Sequence, residues 1–368
     1  MLTAGEGYAV LVPNRLPRSR GPISDAVLTS LATGRVDAVH NLGLGGVGDA
    51  LVDEDLHLSL HCLYGLHHDG FRGVEDAQDD LEWDPELLRL RRDLERTYLG
   101  ALRREQAATR DRQPSAVEMP EALTALIGAA SGTPSPSARL AERGTLAEVR
   151  EMLIHRSIYQ RKEADGHTWG IPRLRGEAKS ALVLIQADEY GHGQPGRSHA
   201  ELFGVTMDRL GLDPTPGAYI DVVPGLTLAT DNLVTMFGLH RRLRGALVGH
   251  LAVFEMTSVV PMGRYAAAIR RLTGDDVAAE FYDVHVAADA VHEVVAAERL
   301  AAGAVRAEPD LAADVVFGAR AVLASEGRLA AHLVACWDTG RSSLRLESLS
   351  HERLDLAGRR RHPHPVAG

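Results

Sequence analysis

The chain is poor in cysteine and lysine, and it lacks the alternating β-branched runs that make strands. Two cysteines, Cys62 and Cys336, among 368 residues exclude a disulfide framework and a thiolate zinc site, and they fit a reducing cytoplasm. Both read as core thiols. Lys162 and Lys179 are the lysines; the other cations are arginine, which reflects GC-rich coding more than function. The first residues, Met-Leu-Thr-Ala-Gly-Glu-Gly-Tyr, lack a basic stretch followed by an apolar one, so no secretory signal is expected. No apolar run approaches the roughly 20 residues that span a bilayer, so a cytoplasmic protein without a membrane partner is expected. A net charge of -10 and a pI near 5.9 argue against a nucleic-acid partner.

What is present is apolar helix. With 45% apolar residues the chain can bury a sizeable core, as one large domain or two modest ones. Residues 1–45 are rich in Gly, Pro and Arg and read as irregular. Residues 49–108 read as helices with polar turns near Asp69-Gly70 and Glu75–Asp80. A polar linker with Pro114 follows, and a softer break lies at Gly132–Ser137. From Ala138 to Gly340 nearly everything is amphipathic helix. The organisation expected is an N-terminal extension over 1–117, a helical domain over 118–340, and a disordered polar tail over 341–368. Thr145-Leu-Ala-Glu148 and Ser198-His-Ala-Glu201 are capping boxes that open helices. Further helices are expected over 174–190, 228–259, 274–302 and 309–338. The fold class expected is all-α.

Six residues stand where such helices should bury apolar side chains. His285, Asp289 and His292 fall at i, i+4 and i+7 on one stripe with Phe281, Ala288, Val295 and Ala296. Glu189 takes the next core slot after Ala178, Leu182 and Ile185. Glu255 follows Val248, Leu251 and Ala252 in the same way. His199 opens its helix across the Gly191–Gly196 break from Glu189, and the break lets the two converge. Buried alone, each group would cost about 1–3 kcal/mol, or more if charged. A shared cation removes that cost. Three carboxylates and three imidazoles suit a pair of irons better than one structural zinc. Glu163, in line with Val149, Met152 and Tyr159, is a provisional seventh member.

The run Glu189-x9-His199, then Glu255, then His285-x3-Asp289-x2-His292 resembles the ligand pattern of the heme-oxygenase-like di-iron oxidases and N-oxygenases, bacterial members of which are called iron-containing redox enzymes. The segments Ile185–Tyr190 and Ser198–Phe203 strengthen the likeness, which covers about residues 140–340. It implies a bundle of about seven helices, two Fe ions, and O2 as co-substrate. Glu189, Glu255 and Asp289 are then expected to bridge or chelate, and His199, His285 and His292 to give one nitrogen each. Glu163 resembles an extra carboxylate of some N-oxygenating members. The expected function is oxygenation of a small metabolite, with N-oxygenation of an amine favoured. The alternatives are oxidative C–C cleavage or desaturation of an amino or fatty acid, a non-catalytic iron-binding protein, and a metal-free helical interaction protein. An external electron donor, a ferredoxin or a flavin reductase, is implied, and larger members suggest a homodimer held through the N-terminal region.

Other motifs carry less. Gly43-Leu-Gly-Gly-Val-Gly48 matches a dinucleotide fingerprint, but a poor strand precedes it and no strand/helix alternation follows. The N-terminal half also holds His57, His61, His67 and His68; His57 and His61 are spaced i, i+4 for a metal, yet no second carboxylate helix joins them, and packing on the core or forming a dimer surface is the expected role. His240 and His250 lie on the expected Glu255 helix, His250 on another face of it, and both read as core or supporting residues. His362 and His364 read as solvated.

Overall fold

The computed structural model describes residues 14–40, 42–72, 79–107 and 113–345. The expected tail with His362 and His364 falls almost wholly outside these residues, as does the first part of the expected linker, 109–112. The all-α expectation is borne out. The α-helices of six residues or more among the described residues are α1 (Pro22–Thr33), α2 (Glu54–Gly65), α3 (Pro85–Gln106), α4 (Met119–Ala129), α5 (Pro136–Arg143), α6 (Leu146–Gln160), α7 (Gly176–Glu189), α8 (His199–Arg209), α9 (Gly225–Leu239), α10 (Arg244–Thr273), α11 (Asp276–Val294), α12 (Ala302–Ala307) and α13 (Ala312–Asp338). One parallel pair of two-residue strands, Asn14–Arg15 with Phe71–Arg72, adds to them.

The bundle is α6–α11 with α13. Its axis is α10, which packs along α11 on one side and α13 on another. Backbones touch there. A Cβ on Gly249 would lie 1.9 Å from the Val315 carbonyl oxygen, and one on Gly318 would lie 2.0 Å from that of Ala246. Neither backbone has room to yield. Gly249→Ala is therefore expected to cost about 3 kcal/mol by overpacking, read as a lower urea midpoint. An unchanged midpoint would show that the two helices separate freely.

The N-terminal helices share the same apolar core. α2 lies on α9 with Leu56, Leu58 and Leu60 fully buried, and α1 lies on α2. Helix α1 corrects the expectation that residues 1–45 are irregular. Pro22 fixes its first turn, Ile23, Val27 and Leu31 form its buried stripe, and Gly34 at φ 69° ends it. Asp55 of α2 caps it, accepting from the Ile23 and Ser24 amides at 2.9 and 2.7 Å.

Three other expectations shift. The single helix expected over 228–259 is two, broken at His240–Leu243. Tertiary partners outweigh the helical pattern: Arg173 donates to the freed Leu239 carbonyl at 3.0 Å, and His240 Nε2 lies 2.7 Å from Glu95 Oε2. The second half then runs on through Pro261 to Thr273, because contact with α11 and α13 outweighs one missing backbone hydrogen bond. The helix expected over 274–302 changes to π geometry over Val295–Ala301. One helical stretch, Arg241–Thr273, is in fact long and apolar enough to cross a membrane, against the reading of no such run. The most apolar window of it is 56% buried inside the bundle, which accounts for its composition.

Candidate metal centre

The site forms where α7, α8, α10 and α11 meet below the end of α6. Glu189 is the last residue of α7. A left-handed run, Gly191 (φ 58°), His192 (φ 53°) and Gly193 (φ 73°), then turns the chain back. A Cβ on Gly191 would lie 2.5 Å from the Arg197 backbone, so the turn closes on itself. Ser198 caps α8 through both halves of its capping box with Glu201, which sets His199 at the first helical position. Glu255 comes from the middle of α10. His285, Asp289 and His292 line the inner face of α11, all 3% exposed or less. α6 ends at Gln160, earlier than expected, so Glu163 stands in the turn beyond it. The next residue, Ala164, is held at φ 75°, and its carbonyl accepts from Gln186 Nε2 at 2.8 Å.

Two groups of donor atoms result, each within 4.8 Å. One holds Glu163, Glu189, His199 and His285; the other holds Glu189, Glu255 and His292. Glu189 belongs to both. Asp289 sits beside the second group, its Oδ1 3.7 Å from His292 Nδ1 and its Oδ2 accepting from Ser258 Oγ at 2.6 Å. The structure thus brings together all six sequence candidates and Glu163.

Five of the converging atoms are buried without a hydrogen-bond partner: Glu163 Oε2, Glu189 Oε2, His199 Nδ1, His285 Nε2 and His292 Nδ1. His199 Nδ1 is 2.8 Å from Glu189 Oε2, and His292 Nδ1 is 3.3 Å from Glu255 Oε2, but neither approach has hydrogen-bond directionality. Orphaned buried donors and acceptors are rare in folded proteins, and five converging in one place fit a shared cation. His285 Nδ1 donates to the Phe281 carbonyl at 2.8 Å, which turns its Nε2 lone pair toward the first group. The donor set fits iron in either oxidation state.

The electrostatics record the same crowding. Burial, then the neighbouring carboxylates, raises Glu189 to about 7 and Glu255 to about 8, against the pull of the histidines. Burial raises Glu163 although His285 opposes it. Burial and the charge of His285 lower His199 to about 4. For His285 burial works against charge, but Glu163, Glu189 and Asp289 outweigh it and raise the group to about 10. His292 rises to about 11 in the same manner through Asp289, Glu255 and Asp188. Asp289, despite burial, is held low by His292, His285 and Ser258.

A cavity of about 490 Å³ opens onto the centre. Tyr159, Glu163, Glu189, Glu255 and His285 line its closed end. Arg156 and Glu326, paired at 2.7 Å, line its outer part with Tyr265 and Arg264. Met152, Arg156, Tyr159 and Glu163 recur every three or four residues, so one stripe of α6 and its following turn forms a wall.

The other histidines singled out in the sequence, among the described residues, lie outside both donor groups. His57 Nε2 donates to the Ala50 carbonyl at 3.1 Å and its Nδ1 faces Asn232 at 3.2 Å. His61 Nδ1 is 3.2 Å from Asp231 Oδ2, which also pairs with Lys162 at 3.0 Å; despite burial, Lys162 then His61 hold Asp231 down at about 2. His67 pairs with Glu82. His68 lines a smaller cavity beside Lys162. His250 Nδ1 meets His167 Nε2 at 3.1 Å, outside both donor groups. The glycines at 43–48 lie in turns and irregular chain, and both cysteines are buried and free.

A helical bundle with a buried, carboxylate-rich, imidazole-rich centre defines the class, and the comparison with known families agrees. Residues 150–327, just under half of the chain, match the model of the iron-containing redox enzyme family. Among characterised proteins, nitrosourea synthase of Streptomyces achromogenes subsp. streptozoticus is 27% identical over 135 residues. That match covers 37% of this chain and 29% of the relative's length.

Two residues were missed by sequence reasoning, Asp188 and Ser258. Both look like ordinary surface polar residues beside a ligand-bearing position, and only the packing of α7 and α10 against α11 reveals what they touch.

Proposed function

We propose that this protein is an O2-dependent non-heme di-iron oxygenase that N-oxygenates a small amine. The observation that carries the reading is the pair of overlapping donor groups, joined by Glu189 and rich in orphaned buried atoms, at the closed end of a ligand-sized cavity. Glu163, Glu189, His199 and His285 would hold one iron. Glu189, Glu255, His292 and Asp289 would hold the other. When bound, the irons supply a place for O2 and pass it two electrons. Tyr159 and Phe254, in edge contact at 5.6 Å, shield the centre from water. Arg156 and Glu326 give the outer cavity charges of both signs, which suits a small polar substrate.

The preference for nitrogen rests on the relative, whose name denotes formation of a nitrosourea, a compound with oxygen on nitrogen. The balance is amine, O2, two electrons and two protons giving hydroxylamine and water. The electrons come from a ferredoxin or a flavin reductase. An iron store has no use for such a cavity, so a non-catalytic role is the weaker reading.

The test is anaerobic Fe(II) titration followed by isotope-labelled O2, a chemical reductant and a panel of small amines. The expected result is two irons per chain, and one labelled oxygen atom on the nitrogen of one amine. Carbon-centred or desaturated products would move the reading to the oxidative alternatives, and absence of iron uptake would sink it.

A further inference from the structure

The two carboxylates that end α7 face different ways. Glu189 enters the centre, whereas Asp188 reaches round the far side of His292. Asp188 Oδ2 accepts from His292 Nε2 at 2.6 Å. Its other oxygen, Oδ1, lies 2.6 Å from His192 Nε2. His192 is 65% exposed, and it reaches Asp188 because the left-handed run at 191–193 folds it back over the helix end. A non-glycine residue seldom adopts that conformation without a compensating contact.

We propose that Asp188 is a positioning residue for one of the two metals, with His192 as its outer support. By accepting the Nε2–H hydrogen bond of His292, Asp188 holds the proton on Nε2 and leaves Nδ1 as the lone pair that faces Glu255 and Asp289. Nδ1 is the buried atom with no hydrogen-bond partner, 3.3 Å from Glu255 Oε2. Metal-binding imidazoles characteristically give their second N–H to a carboxylate or a carbonyl, which fixes the ring and raises its basicity. The two halves of this centre use different orienters. His285 donates a hydrogen bond from Nδ1–H to the neutral Phe281 carbonyl, and His292 donates one from Nε2–H to a carboxylate. Losing Asp188 should therefore harm one ion selectively. The inference rests on the metal-centre reading above and adds to it the residue that orients His292.

The test is anaerobic titration with Co(II), followed by calorimetry and by the visible spectrum of the bound ion, for wild type, Asp188→Ala, Asp188→Asn and His192→Ala. Wild type should take up two ions. Asp188→Ala should keep one at wild-type affinity and bind the second about 10- to 100-fold more weakly. Asp188→Asn should recover part of the loss, since its amide oxygen still accepts from Nε2. His192→Ala should weaken the same ion by less. The retained first ion reports that the variant is folded. Asp188→Ala binding both ions as wild type does, or losing both equally, overturns the positioning role while leaving the metal centre standing. Wild type taking up no ion overturns both.

Discussion

Glu189→Ala is expected to lose both metal ions, whereas Glu163→Ala should lose one and Glu255→Ala the other. The asymmetry follows from geometry, because Glu189 is the residue common to the two donor groups. Even a residue behind a ligand is worth about 10- to 100-fold in metal affinity, so removing a shared ligand should cost at least about 100-fold at each ion. Metal content after gel filtration and O2 uptake with reductant both read the effect, and O2 uptake should fall to background. The folded chain should not suffer. Burial raises the Glu189 carboxyl to about 7, so above that pH its charge is a burden to the metal-free fold. Glu189→Gln keeps the shape and removes the charge, and should unfold at a higher temperature than metal-free wild type near pH 8. A Glu189→Ala protein that retained one tightly held ion would show that the two groups are independent.

How much of this was legible in the sequence varied with how local the cause was. Both capping boxes could be read, because Thr145 with Glu148 and Ser198 with Glu201 act within one turn. The helix α1 was hidden by the Gly, Pro and Arg around it, although Ile23, Val27 and Leu31 mark its stripe. The break at His240 leaves no local mark, since it depends on Glu95 and Arg173, more than 60 residues away in each case. Pro261 signalled an end that the packing of α10 overrides.

The candidate site was more legible than the fold details, for a physical reason. An ionisable group at a core position of an amphipathic helix is conspicuous because burying it unpaired is costly. That criterion selects Glu189, Glu255, His285, Asp289 and His292, and the structure brings all of them to one place. It is blind to residues at the rim. Asp188 lies one position from Glu189 and points to another face, and the contact that matters is with a residue 104 positions later. Ser258, three residues after Glu255, is the same case. Glu163 was placed near a helix end, but the early end of α6 and the left-handed Ala164 are what turn it inward.

Metal loading is expected to reverse the pH dependence of stability. Without metal, Glu189 and Glu255 titrate at about 7 and about 8 in the folded chain, raised from an ordinary 4.5. Through that window the folded chain holds protons that the unfolded chain has released, so stability falls as pH rises. His285 and His292, raised from 6.5 to about 10 and about 11, act in the same direction. Their stabilisation is complete below 6.5 and is lost as pH climbs through those values. His199, lowered to about 4, opposes them, as do His57, His61, His67, His68, His155, His167 and His250, all lowered by burial, but their effect fades once pH exceeds about 6.5. Above 6.5 all the remaining shifts therefore agree, and each extra proton held by the folded state contributes a slope of about 1.4 kcal/mol per pH unit. Cations take the place of those protons, so metal affinity rises with pH over the same range, and the stabilisation grows with the logarithm of metal concentration over dissociation constant. Thermal unfolding with a chelator should give a lower midpoint near pH 8.5 than near pH 7, and adding Mn(II), a redox-stable substitute for iron, should raise the midpoint more at the higher pH. A rise of the same size at both pH values would mean that the ion binds without displacing protons from Glu189, Glu255, His285 and His292, and so binds elsewhere.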